Sequence, residues 1–126
     1  MDVNKKVLFV SYDGMTDPLG QSQVIPYLRE LVKAGYDLTI LSVEKKHRLS
    51  TSRELIADVL KRAGIKWEIL LFTSKPPVFS KMYDQWQLNK KVAALHKKYN
   101  FDMLHCRSYV AAAAGLKLLQ NSILTP

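Results

Sequence analysis

"KVLFVSYDGMTDPLGQSQ", residues 6–23, poses the questions of fold and function together. Residues 6–12 read as one continuous apolar strand, the pattern of a strand buried on both faces of a parallel sheet. Behind it come Asp13, Gly14, Asp17, Pro18 and Gly20 before any helical periodicity begins. That junction is about ten residues long, against the usual 2–6 of a strand-to-helix connection. A long polar loop at the end of a buried strand is either an elaborate turn, with Asp and Gly in turn roles, or one wall of a ligand site.

The rest of the chain repeats the pattern. Val24, Ile25, Leu28, Leu31 and Val32 recur at helical spacing, with Pro26 in or near the first turn and Gly35 as the stop. Residues 36–43 form a second buried strand. Thr51 to Glu54 reads as a capping box opening a helix with Leu55, Ile56, Val59, Leu60 and Ala63 on one face, ended by Gly64. A strand over 65–72 follows, and Leu88, Val92, Leu95 and Tyr99 mark a third amphipathic helix. Residues 101–107 form a fourth strand, and "VAAAAGLKLL", 110–119, a fourth helix of small residues able to lie close to a sheet. Strand and helix alternating four times predict an α/β, Rossmann-like parallel sheet of order 3-2-1-4 with helices on both faces.

With 126 residues, 48% hydrophobic and 24% charged, the chain is sized for one globular domain. No apolar run approaches the length of a membrane span, and no secretory leader is visible, so the cytoplasm is the expected compartment. One cysteine, Cys106, excludes an internal disulfide and a multi-cysteine metal centre, and no metal site is expected. The formal net charge of +8 suits an anionic partner, or serves solubility alone. The lysine pairs at 5–6, 45–46, 90–91 and 97–98 are scattered rather than gathered into a stripe interleaved with aromatics, so nucleic acid is not the expected partner.

In a 3-2-1-4 sheet, strands 1 and 4 are neighbours where the winding reverses, and ligands of open α/β sheets bind beyond the strand ends there. Two loops meet that point. The first offers Asp13, Gly14, Asp17, Gly20, Gln21 and Ser22: a glycine for close approach, the free N–H groups of a helix start for an anion, and two carboxylates to accept from hydroxyls. The second offers His105, Arg107, Ser108 and Tyr109, with Arg107 a bidentate phosphate donor and His105 a base, a hydroxyl partner or a plain packing group. Hydroxyl recognition beside an anion site suggests a sugar or sugar phosphate. The loop lacks G-x-G-x-x-G, the chain has neither a P-loop nor a nucleophile elbow, and strand 3 ends without a receiver-type phosphoacceptor aspartate.

The stretches "KVLFVSYDGMTDPLGQSQVIPYLRELVKAGYDLTILSVEK" and "FDMLHCRSYVAAAAGLKLL" resemble the amino-terminal, acceptor-side domain of glycosyltransferases of GT-B architecture, family 4 type. The resemblance implies two Rossmann-like domains, with a nucleotide sugar held by the carboxy-terminal one as donor substrate, no cofactor, and a retaining outcome. It places Gly20 and Gln21 near the donor diphosphate and acceptor, and His105 to Ser108 on the opposite lining of the cleft. This chain has Arg107 where many members have a second histidine, and one glycine at 20 where many have a pair. The donor domain and its acidic motif lie outside residues 1–126, so the resemblance implies an acceptor-side portion, inactive alone and needing a donor domain or partner chain.

Two functions from different classes remain open. One is the acceptor-binding half of a glycosyltransferase acting on a glycan or lipid-linked acceptor, peripheral at the inner membrane face, where basic helices, "KPPVF" and Trp86 would meet anionic lipid. The other is a non-catalytic basic interaction module for an anionic partner such as nucleic acid. A sheet ending at strand 4 would also expose an edge open to self-association.

Overall fold

The computed structural model describes residues 5–12, 14–18, 20–72 and 77–107, the side chains of 77–81 excepted. Four strands, β1 (Lys6–Ser11), β2 (Asp37–Glu44), β3 (Lys66–Leu71) and β4 (Met103–Arg107), pair in parallel in the order β3-β2-β1-β4. The expected order therefore holds. Register runs Phe9 opposite Ile40 on one side and His105 on the other, so β1 and β4 are neighbours at the winding switch.

Alternation along the strands divides the core in two. Val7, Phe9, Leu38 and Ile40 face α1 (Ile25–Lys33) and α2 (Lys46–Arg62), which contribute Ile25, Leu28, Ile56 and Leu60. Leu8, Val10, Leu41 and Val43 face α3 (Pro77–Tyr99) through Leu88, Val92 and Leu95. Each crossover keeps the right-handed sense, which puts α1 and α2 on one face and sends α3 to the other. Gly35 (φ 104) and Gly64 (φ 78) close α1 and α2 in the left-handed conformation that glycine adopts without penalty. No helix among the described residues is long and apolar enough to cross a membrane.

Three local expectations are corrected. The second helix begins at Lys46, not at the capping box: Thr51 lies inside it and donates its hydroxyl back to His47 O (3.1 Å), so it caps nothing. The earlier start brings Leu49 into the stripe of Ile56 and Leu60, and leaves Leu55, expected on the core face, 63% exposed. The second strand runs one residue past Val43 to Glu44, whose side chain is fully buried. The first helix is preceded by a π-helical turn, Gly20–Val24, in which the Gln21 N–H donates to Asp17 O (3.1 Å) and so is not free for an anion. Asp13, Ser108, Tyr109 and the expected fourth helix lie outside the described residues.

Candidate functional site

The loop after β1 is folded onto a buried carboxylate. Glu44 Oε1 accepts from the Thr16 N–H (3.1 Å) and the Thr16 hydroxyl (2.6 Å), and Oε2 accepts from the Met15 N–H (2.7 Å) and from the Ser42 hydroxyl. Ser42 in turn accepts from the Trp67 indole N–H (2.8 Å). Ser42 and Glu44 are two apart on β2, so they share the face toward α1 and α2, and the carboxylate meets the loop where it leaves β1. Burying a charge is tolerable only when its acceptor capacity is met, and here neutral donors meet it.

Space at this junction is exhausted. A Cβ on Gly14 would lie 2.5 Å from Glu44 Oε1 and 3.2 Å from Val43 O. A Cβ on Gly20 would collide with Gly14 O and sit 2.8 Å from Met15 Cα. The close approach that Gly20 permits is thus one between two parts of the same loop. Asp17 is engaged likewise: Oδ2 accepts from the Gly14 N–H (3.2 Å), and Oδ1 forms an ion pair with Arg48 Nε (3.1 Å) that is electrostatic rather than hydrogen-bonded. The Gln21 side-chain amide donates to Thr16 O (3.0 Å), while Ser22 is exposed on the π-turn.

The second loop's described residues sit elsewhere. His105 packs edge-on against Phe9 (4.8 Å between centroids) and Tyr27 (5.9 Å). It lines a hollow of about 290 Å³ with Phe9, Gln23, Val24, Tyr27, Cys106 and Arg107. Gln23 and Tyr27 are one helical turn apart and face β4 together. The expected site residues therefore separate into two groups. His105 and Arg107 are brought together beside the start of α1, whereas Gly14 packs against Glu44 of β2, Asp17 pairs with Arg48 of α2, Gly20 and Gln21 contact the loop itself, and none of the four lines this hollow.

The hollow combines a half-exposed aromatic ring (Tyr27, 48% exposed), an imidazole, a guanidinium and an amide. That is the make-up of a small polar-ligand site: ring surface for an apolar face, and a few convergent donors and acceptors for orientation. Burial pushes the Cys106 thiol up, and the residue packs against the core cluster of Leu8, Val10 and Leu88 on the other face of the sheet. On the opposite face, Tyr12 donates its hydroxyl to Asp84 Oδ2 (2.9 Å), tying α3 to the end of β1. Burial first, then the hydrogen bond to Asp84 and its charge, hold the Tyr12 phenol well above its ordinary pKa.

Sequence reasoning missed Glu44, Gln23 and Tyr27. A signal existed for the first: serine and glutamate spaced by two at the end of an otherwise apolar strand place two polar groups on one buried face. For Gln23 and Tyr27 the i, i+4 spacing was available, but their partner is β4, remote in sequence.

No protein-family model and no curated protein matches this chain. Among solved structures, it is similar to a glycosyltransferase from Rickettsia africae ESF-5, with a TM-score of 0.59 and 21% identity over 94% of this chain. The chain spans 27% of the length of that protein. The likeness is one of fold, and it agrees with the Rossmann-like sheet described above.

Proposed function

We propose that this chain is the acceptor-binding portion of a glycosyltransferase of GT-B architecture, family 4 type, and that the hollow between β4 and the start of α1 receives the acceptor sugar. The observation that carries the reading is the convergence of Tyr27, His105, Arg107 and Gln23 at the winding switch between β1 and β4. The shared fold with a glycosyltransferase supports it as well.

In this reading Tyr27 offers its ring to a sugar face, and Gln23 and His105 exchange hydrogen bonds with hydroxyls. Arg107 favours acceptors carrying phosphate or carboxylate. The loop held by Glu44 is a rigid wall and not itself a ligand contact. The nucleotide-sugar donor is bound by a further domain or partner chain, which also supplies the groups that stabilise the leaving diphosphate. The protein works on the cytoplasmic side of a membrane, in glycan assembly.

Heteronuclear NMR titration with neutral hexoses, hexose phosphates and nucleotide sugars tests this. Hexoses or hexose phosphates should shift Gln23, Tyr27, His105 and Arg107 together, and nucleotide sugars should add nothing. Tyr27→Ala should abolish the response, and Arg107→Ala should remove any preference for the phosphorylated sugar. Silence toward every saccharide, with salt-dependent binding of generic DNA that ignores Arg107→Ala, would establish the interaction-module alternative instead.

A further inference from the structure

The outer face of α3 has a composition that the hollow does not explain. Met82, Tyr83 and Trp86 are 65%, 47% and 55% exposed, although large apolar side chains gain by burial. Successive residues turn by about 100°, so Trp86, Lys90, Ala93 and Lys97 form one stripe directly opposite the buried Leu88 and Leu95. From Met82 to Lys97 that stripe extends about 22 Å at 1.5 Å per residue.

Charge on this helix is one-sided. Asp84 is its only acidic residue, and it is buried against Tyr12. Lys91 reaches Glu68 (3.3 Å) at the flank, where Lys98 also lies with its ammonium over the Tyr99 ring, while Lys90 and Lys97 are exposed on the stripe with no acidic residue of the helix beside them. The Lys90 ammonium lies 4.9 Å from the centre of the Trp86 ring, and Tyr83 stacks on Trp86 at 6.0 Å. The Tyr83 hydroxyl accepts from the Gln87 amide (2.8 Å).

We infer that α3 is a docking surface for an anionic lipid bilayer, lying flat with Met82, Tyr83 and Trp86 at headgroup depth and its lysines against the phosphates. Tryptophan and tyrosine favour that boundary because one edge is apolar and the other hydrogen-bonds. Lysine stems cover apolar surface while their ammonium groups reach the headgroups. Charge complementarity selects the occupant: an acid-free, lysine-bearing face on a chain of net charge +8. Stacking on nucleic-acid bases fits less well, since a base would have to displace Tyr83 or Lys90 from Trp86. The face lies across the sheet from the His105 hollow, so lipid docking and sugar binding are separable properties.

Flotation of the 126-residue chain with phosphatidylcholine vesicles, plain or enriched in phosphatidylglycerol, tests the surface. The chain should rise with the anionic vesicles only, with a blue shift of tryptophan emission, and should fall away in high salt. Each exposed lysine neutralised should weaken binding roughly fivefold, so Lys90→Gln with Lys97→Gln costs about 25-fold. Trp86→Ala should abolish the emission shift, and circular dichroism should show each variant folded, because all three positions are exposed. Failure to float overturns the inference, as does flotation that ignores these substitutions. Lysine-dependent binding of single-stranded DNA or an acidic polypeptide, without flotation, also overturns it and assigns the face to that partner.

Discussion

Glu44→Gln replaces one oxygen of a fully buried side chain with an NH₂ group and leaves its volume almost unchanged. The carboxylate accepts two hydrogen bonds on each oxygen, all four from donors whose positions are set by the loop and by β2. In the best arrangement the amide oxygen keeps both Thr16 donors, and the Ser42 hydroxyl turns to accept from the new NH₂. The Met15 N–H then faces a donor. An orphaned buried N–H costs about 1–3 kcal/mol, and each surviving bond loses its charge assistance, roughly 0.5–1 kcal/mol apiece. The sum is about 2–5 kcal/mol, a large part of the stability of a domain this size.

Opposing it is the relief of a buried charge, but that relief is small where a carboxylate's acceptor sites are all met. Urea unfolding followed through Trp67, in a Trp86→Phe background, should show the midpoint falling by about 2 M with an unchanged slope. Trp67 is the right reporter because its indole N–H bonds the Ser42 hydroxyl that joins the network. A loss below about 1 kcal/mol would refute the reasoning, because the loop amides would then have found other acceptors.

The remaining predictions concern neighbouring features. Gly20→Ala should cost roughly 2 kcal/mol or more, since its Cβ meets backbone at Gly14 and Met15. Gly64→Ala, with nothing within 4 Å but φ at +78, should cost only about 1–2 kcal/mol of backbone strain. Thermal melts of the two variants check the order, and equal losses would contradict it. Tyr12 has its phenol pKa raised above the ordinary 10.0, so the unfolded chain releases that proton first and stability falls as pH rises past about 10. Tyr12→Phe should lose about 1–2 kcal/mol at neutral pH with the Asp84 bond, yet decline less steeply than the parent in alkaline urea titrations. Parallel declines would assign the alkaline loss to other groups.

Much of the fold was legible because it rests on local periodicity. The apolar runs around Leu8, Leu41 and Ile69, the 3.6-residue stripes of α1 and α3, and glycines at 35 and 64 each depend on residues near one another in sequence. Alternation of those elements, with the right-handed crossover rule, leads to the order β3-β2-β1-β4. The start of α2 was less legible: a capping-box pattern is a preference, and the gain from burying Leu49 with Ile56 and Leu60 outweighed it.

The site divides along the same line. The sequence by itself determined where the winding reverses, between strands 1 and 4, since topology follows from the pattern and the switch point from topology. Only the tertiary structure decided which residues gather there. Gly14, Asp17, Gly20 and Gln21 are drawn away because the loop that carries them is anchored at Met15 and Thr16 by Glu44 and at Asp17 by Arg48, both remote in the chain, and Gly14 and Gln21 then bond within that loop. Gln23 and Tyr27 join His105 and Arg107 because α1 lays that turn over β4. Polar side chains such as these answer to whichever donor or acceptor lies within about 3 Å, and that distance is fixed by packing between segments far apart in sequence.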